Sequence, residues 1–210
     1  MKIETAPKPR WKQLSRRRLQ TWPSDLTKNT LLESPLPTWL TEPVITRLLS
    51  YPVSSASGQD HIFKDSPHGA PNHVLINEYQ AGQGIMPHKD GAAYHPVVCT
   101  ISLGASLCLD IYGANEDGIK ESKPRWKILQ EPRSLLITTG DLYTEYLHGI
   151  AEITEDVNLT PSTVSNWDLL GSPEEITDGC SQRSTRTSLT YRDVIKVSRL
   201  GGKFAMFGKK

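Results

Sequence analysis

Beyond residue 72 the apolar positions come in short runs, and several of these alternate apolar with polar residues. HVLINEY (73–79), PVVCTISLG (96–104), SLCLDIYG (106–113), RWKILQ (125–130), RSLLITTG (133–140), HGIAEI (148–153) and RTSLTYRDV (186–194) are separated by Gly, Pro, Asn or Asp turn residues. Short strands at this spacing predict a β-sandwich or barrel in place of an alternating α/β domain. Ahead of them, TWLTEPVITRLLS (38–50) repeats Leu40, Val44, Ile45, Leu48 and Leu49 at helical spacing, with Thr41 as N-cap and Pro43 at the helix entry. Residues 50–71 are rich in Ser, Gly and Pro and read as loop. The segment 154–183 is polar and lacks periodicity apart from Trp167, Leu169 and Leu170, so it reads as an excursion with a task of its own or an insert.

Length and composition narrow this picture. A chain of 210 residues with 37% hydrophobic and 22% charged residues suits one domain with one core. No apolar run approaches the roughly 18 residues needed to cross a bilayer, and the polar start MKIETAPKPR lacks a signal-peptide core. An intracellular, monomeric protein of cytoplasm and nucleus is expected, without a membrane partner. Cys99, Cys108 and Cys180 match neither a paired-thiol metal site nor a disulfide framework, which predicts reduced structural thiols.

The net charge of +1 conceals basic ends: residues 1–22 carry seven Lys/Arg against Glu4, and residues 192–210 carry six against Asp193. The division expected is a basic N-terminal region with helix over 1–72, a β core over 73–194, and a basic tail over 195–210. In KPRWKQLSRRRLQTWP (8–23), Arg10, Lys12, Arg16, Arg17 and Arg18 are interleaved with Trp11 and Trp22. Cations pair with phosphates and indoles stack on bases, so these seven residues are candidate nucleic-acid contacts. A two-stranded ribbon or lid fits them, and so does an edge whose two Trp side chains tuck into the core.

His88 and Asp90, in GQGIMPHKDG (82–91), lie two apart and share a face if the backbone is extended, with Lys89 turned away to solvent. His148, opening HGIAEI after the TTGD turn, is the candidate third ligand. Two imidazoles and one carboxylate on one face of an octahedron leave three positions open, the arrangement of non-haem Fe(II) oxygenases. No helical His pair four residues apart points to zinc hydrolysis instead. His61, His68, His73 and His95 have no comparable partners. In RTSLTYR, Arg186, Ser188, Thr190 and Arg192 share one side of a strand, with Leu189 and Tyr191 on the other. Inward arginines are costly unless anions meet them, and a dicarboxylate offers a bidentate partner. Alternation likewise aligns Asn77 with Tyr79, an amide and a phenol facing the cavity.

Together, NHVLINEYQAGQGIMPHKDG, SLG, LHGI and RTSLTYR resemble the AlkB-like Fe(II)/2-oxoglutarate-dependent dioxygenases. KPRWKQLSRRRLQTWP, LPTWL and HKDGAAYHPVVCTISLG resemble the sixth AlkB homologue branch, and the resemblance spans residues 8–194. It implies a double-stranded β-helix, or jelly roll, mainly β with flanking helices. It also implies Fe(II) on His88, Asp90 and His148, the distal carboxylate of 2-oxoglutarate on Arg186, and O2 as second cosubstrate. Asn77 and Tyr79 would help hold 2-oxoglutarate, and Arg192 would lie near the ligand carboxylate. Ser188 stands where better-known relatives often have Asn. Such relatives also carry a strand and helix ahead of KPRWKQL, a layer nearly missing here. The implied activity is oxidative demethylation or hydroxylation of an alkylated RNA or DNA. A protein side chain as substrate, or a noncatalytic nucleic-acid-binding module on the same scaffold, are the alternatives.

Overall fold

The computed structural model describes residue 3 and residues 10–53, 60–114 and 120–199. Most of residues 1–9 and residues 200–210 of the basic tail lie outside the described residues.

Among the described residues the strands follow in chain order: β1 (Lys12–Gln13), β2 (Arg18–Trp22), β3 (Thr30–Leu32), β4 (His73–Tyr79), β5 (Ile85–His88), β6 (Tyr94–Gly104), β7 (Leu107–Tyr112), β8 (Trp126–Gln130), β9 (Leu135–Thr139), β10 (Leu147–Ile150), β11 (Glu155–Asp156), β12 (Ser181–Gln182), β13 (Arg186–Val194) and β14 (Lys196–Ser198). A six-stranded sheet in the order β1-β2-β4-β13-β6-β9 faces a four-stranded sheet in the order β5-β10-β7-β8. This is a double-stranded β-helix.

The strand β13 is central, antiparallel to both β4 and β6, and buried along its whole length. Its alternation sorts the interior. Leu189 and Tyr191 join Val74, Ile76, Val97 and Cys99 in a core closed by Leu40, Leu48 and Phe63, while Arg186, Ser188, Thr190 and Arg192 line a cavity on the opposite face. A second cluster, Tyr79, Leu107, Leu109, Ile111 and Ile150, packs between the sheets.

The predicted helix is broken into α1 (Thr38–Thr41) and α2 (Val44–Ser50). Glu42, which precedes Pro43, takes an extended conformation, as steric conflict with the proline ring favours. Thr41 caps nothing; its hydroxyl donates to the Thr38 carbonyl at 3.1 Å. One turn of helix, α3 (Gly140–Thr144), follows β9 where only a turn is expected. Strand β10 begins one residue early and stops at Ile150. The first residues of the basic tail are tied down: β14 pairs in parallel with β3, and Arg199 pairs with Glu33.

The excursion 154–183 has its own core, in which Leu159 and Val164 cover Cys108 and Leu129 on the outer face of the minor sheet. It is clasped by Arg183, whose guanidinium donates two 2.7 Å bonds to Asp156. Both groups are buried. Burial pushes the Cys99 thiol up to about 12 and that of Cys108 higher still, so neither is a reactive thiolate.

Candidate metal centre and anion pocket

Strands β5 and β10 pair antiparallel with His88 opposite His148, and directly opposed residues share a face of the sheet. Their rings lie 4.5 Å apart between centroids, inclined at 54°. Asp90 follows just beyond β5, and ligand atoms of the three residues all lie within 4.8 Å of one another. His88 Nδ1 is 2.9 Å from the Met86 carbonyl. Donation there leaves Nε2 as the free lone pair, the tautomer a metal requires. Close approach of the two strands depends on Gly149, where a Cβ would stand 2.9 Å from Pro87 N and 3.1 Å from the Ile85 carbonyl.

Burial lowers the His148 pKa to about 4, with His88 and Arg192 acting in the same sense and Asp90 opposing them. The imidazole is therefore neutral, and ligation-competent, throughout the neutral range.

Arg192 places Nη2 2.9 Å from Asp90 Oδ1 and lies over the Tyr94 ring at 4.6 Å. Arg186 is 2% exposed. Its Nη2 donates to Ser102 Oγ at 2.8 Å and to Gln130 Oε1, and its Nε has no partner. Burial brings its pKa down to about 10. No carboxylate among the described residues meets this cation, an arrangement costly unless an anion enters. Tyr79 faces Arg186 across β4 and β13, and Asn77 faces Ser188 in the same register. Burial holds the Tyr79 hydroxyl protonated.

All eight residues expected at the site line one cavity of about 420 Å3. Lys89 is exposed as expected, yet it also borders that cavity. Ser102 and Gln130, which hold Arg186, are legible in the sequence only as inward positions of predicted strands. Arg17, read from sequence purely as a nucleic-acid contact, proves to be a cavity residue.

The other N-terminal candidates are placed differently. β1 and β2 form the expected ribbon, but Trp11 and Trp22 pack against the core, Trp22 edge-on to Trp39 at 5.4 Å. Lys12 pairs with Asp25, Arg16 with Glu152, and Arg18 grips Glu78. Arg10 bonds the Pro23 carbonyl and covers Trp22. These two Trp faces and four cations are engaged by the fold itself, because the acidic body lies within their reach. Of the remaining histidines, His68 bonds the buried Asp193 and His73 is buried near Ser24.

The donor set suits Fe(II), and the unmatched guanidinium in the same cavity suits a dicarboxylate. Residues 7–192 match the 2OG-Fe(II) oxygenase superfamily. The chain is 39% identical over 203 residues to a protein of Danio rerio named probable RNA/DNA demethylase ALKBH6, covering 94% of this chain and 79% of that protein. It is 34% identical over 125 residues to the tRNA (carboxymethyluridine(34)-5-O)-methyltransferase alkbh8 of Xenopus tropicalis, covering 59% of this chain and 18% of that one. The solved structure of OsALKBH1 superposes with a TM-score of 0.51 at 18% identity, over 87% of this chain and 84% of that chain.

Proposed function

The chain belongs to the 2OG-Fe(II) oxygenase superfamily, and on that premise we propose that it oxidises an alkyl group on a nucleic acid, as a demethylase or hydroxylase. His88, Asp90 and His148 would hold Fe(II), which would supply O2 activation coupled to decarboxylation of 2-oxoglutarate to succinate and CO2 and, through it, oxidation of a substrate C–H bond. On an N-methyl group the hydroxymethyl product releases formaldehyde.

The residues around the centre divide the remaining work. Arg186, held by Ser102 and Gln130, would anchor the distal carboxylate, and Tyr79 and Asn77 would donate to the cosubstrate from the neighbouring strand. Arg192 holds Asp90 in its ligating orientation. Apolar side chains of the minor sheet, Leu109, Ile111 and Ile128, keep bulk water from that wall of the cavity. The observation that carries the oxygenase reading is the buried, carboxylate-free Arg186 opening onto the same cavity as the three metal ligands. The nucleic-acid substrate is supported by Arg17, the basic residue of the ribbon that lines that cavity, and by likeness to the Danio rerio protein.

The test is a turnover screen with N-methylated single-stranded RNA, methylated DNA and protein extract. Formaldehyde or hydroxylated product above uncoupled turnover with a nucleic acid, lost in His88→Ala, is expected. Product from protein extract alone would overturn the substrate assignment. Absent 2-oxoglutarate binding by folded, metal-loaded protein would overturn the oxygenase assignment. A monomer of cytoplasm and nucleus accords with this role, to be checked by sedimentation and by imaging the tagged chain.

A further inference from the structure

Five basic residues crowd the ribbon and its flank, and four are bound by the protein's own groups. Arg10 donates to the Pro23 carbonyl at 3.0 Å, Lys12 pairs with Asp25, and Arg16 lies 3.1 Å from Glu152. Arg18 donates 2.7 and 2.8 Å bonds to Glu78 and covers the Trp11 ring. Arg17 is the exception. Leu19 stands opposite Asn77 and Arg18 opposite Glu78, so residue 17, two before Leu19, turns to the cavity face while Arg18 turns away.

There Arg17 Nε donates to the neutral Asn77 Oδ1 at 3.1 Å, the one hydrogen bond of its side chain among the described residues. Both terminal nitrogens are without a partner among the described residues. Its charge is near enough to act on the Tyr79 hydroxyl, ahead of Arg186 and Arg192 in effect.

The charges of the cavity can be matched one by one. Asp90 is the only acidic residue among its lining, and it is taken by the metal centre and Arg192. Arg186 would take the distal carboxylate of the cosubstrate, and the three metal ligands would hold the ion that meets its other end. Arg17 is left as an unmatched fork on the major-sheet wall, facing the minor sheet that carries His88 and His148. The opening is marked by Asn29 and Lys89, both exposed and both lining the cavity.

We propose that Arg17 is the phosphate-binding arm of the substrate site, resting on the nucleic-acid reading above. An alkylated base must leave its stack to bring its methyl to the metal, and its backbone phosphate then trails at the opening. Asn77 fixes Nε, so the two terminal nitrogens present a preorganised bidentate fork to that phosphate. The same amide contact commits Asn77 Oδ1 and leaves its NH2 to the cosubstrate.

The test uses the full chain loaded with Mn(II) and 2-oxoglutarate, which binds without turnover, and a labelled N-methylated single-stranded RNA followed by anisotropy across a salt series. Arg17→Met should weaken RNA binding about tenfold and lower the log–log salt slope by about 0.7, the value of one phosphate contact on a single strand. Arg17→Lys should keep most of that slope. The affinity for 2-oxoglutarate, titrated separately by its absorbance change with Fe(II) under anaerobic conditions, should move less than twofold. Unchanged RNA affinity and slope in Arg17→Met would overturn this assignment while leaving the nucleic-acid reading intact. So would a loss confined to 2-oxoglutarate affinity, which would make Arg17 a cosubstrate residue. Wild-type protein that binds no RNA would overturn the nucleic-acid reading itself, and this inference with it.

Discussion

Arg192 Nη2 lies 2.9 Å from Asp90 Oδ1, and this ion pair ties the central strand of the major sheet to the carboxylate of the metal centre. It reaches across the cavity, so the six-stranded sheet helps aim a ligand that the four-stranded sheet displays. Arg192→Met should leave the fold intact and weaken metal binding about 10- to 100-fold, the usual consequence of losing a partner behind a ligand. Competition with a chelator in a Mn(II) titration measures it, and unchanged metal affinity would count against the role.

Arg186 predicts a separation between binding and stability. The buried guanidinium has an unpaired Nε and no carboxylate partner among the described residues. Arg186→Met removes the costly charge while keeping much of the volume, so thermal stability without cosubstrate should hold or rise. Affinity for 2-oxoglutarate should fall by at least about 100-fold, since a charge-assisted bidentate contact is lost. Anaerobic cosubstrate titration and a melting curve read the two effects separately.

His73 makes stability depend on pH. It is 2% exposed, Nε2 sits 3.2 Å from the Ser24 carbonyl, and Nδ1 has no partner. Burial, reinforced by Arg192, lowers its pKa to about 4. The unfolded chain takes up this proton near pH 6.5 and the folded chain only near 4, so stability falls as pH drops between those values. The loss levels off below pH 4 and is on the order of 3 kcal/mol for this group. Denaturant midpoints at pH 7, 5.5 and 4.5 should show it, and His73→Gln should flatten the trend without abolishing it, because His148 contributes in the same direction.

The excursion 154–183 is predicted to depend on one clasp. Arg183 and Asp156 are both buried, and Asp156 also accepts from the Cys108 backbone at 3.3 Å. Arg183→Met leaves a buried carboxylate unmatched and should cost about 3–5 kcal/mol. Urea unfolding measures the loss. A double variant, Arg183→Met with Asp156→Leu, should recover most of it; failure to recover would show that shape, and not charge, sets the cost.

The local pattern carried much of the fold and most of the site. Alternation in RTSLTYR put Arg186 and Arg192 on one face and Tyr191 on the other, and the structure keeps both assignments. It worked because β13 is flanked on both sides, so every residue must choose one of two interiors. The same reasoning named no strand at β5, and it left β2 as one of several readings of the basic segment. Pro87 and the neighbouring glycines disguise the first, and the charges of SRRRLQ read as surface. The helix entry at Pro43 was legible, since α2 begins at Val44, but the separate turn α1 ahead of it was not, because Leu40 continues the apolar spacing of the helix that follows.

Within a strand, the period of two determines which residues share a face, and the sequence alone is sufficient for that. Which strands become neighbours, and in what register, is settled only when distant segments close the two sheets. Among the described residues, that closure sets His148 opposite His88, leaves Arg186 beside Ser102 and Gln130 without a carboxylate, and supplies acidic partners to Lys12, Arg16 and Arg18 but none to Arg17. The residues equipped for the chemistry could be read from the chain. Which cations remained free to use it depended on long-range pairing, because an ion pair is decided by distance in space and not by position along the backbone.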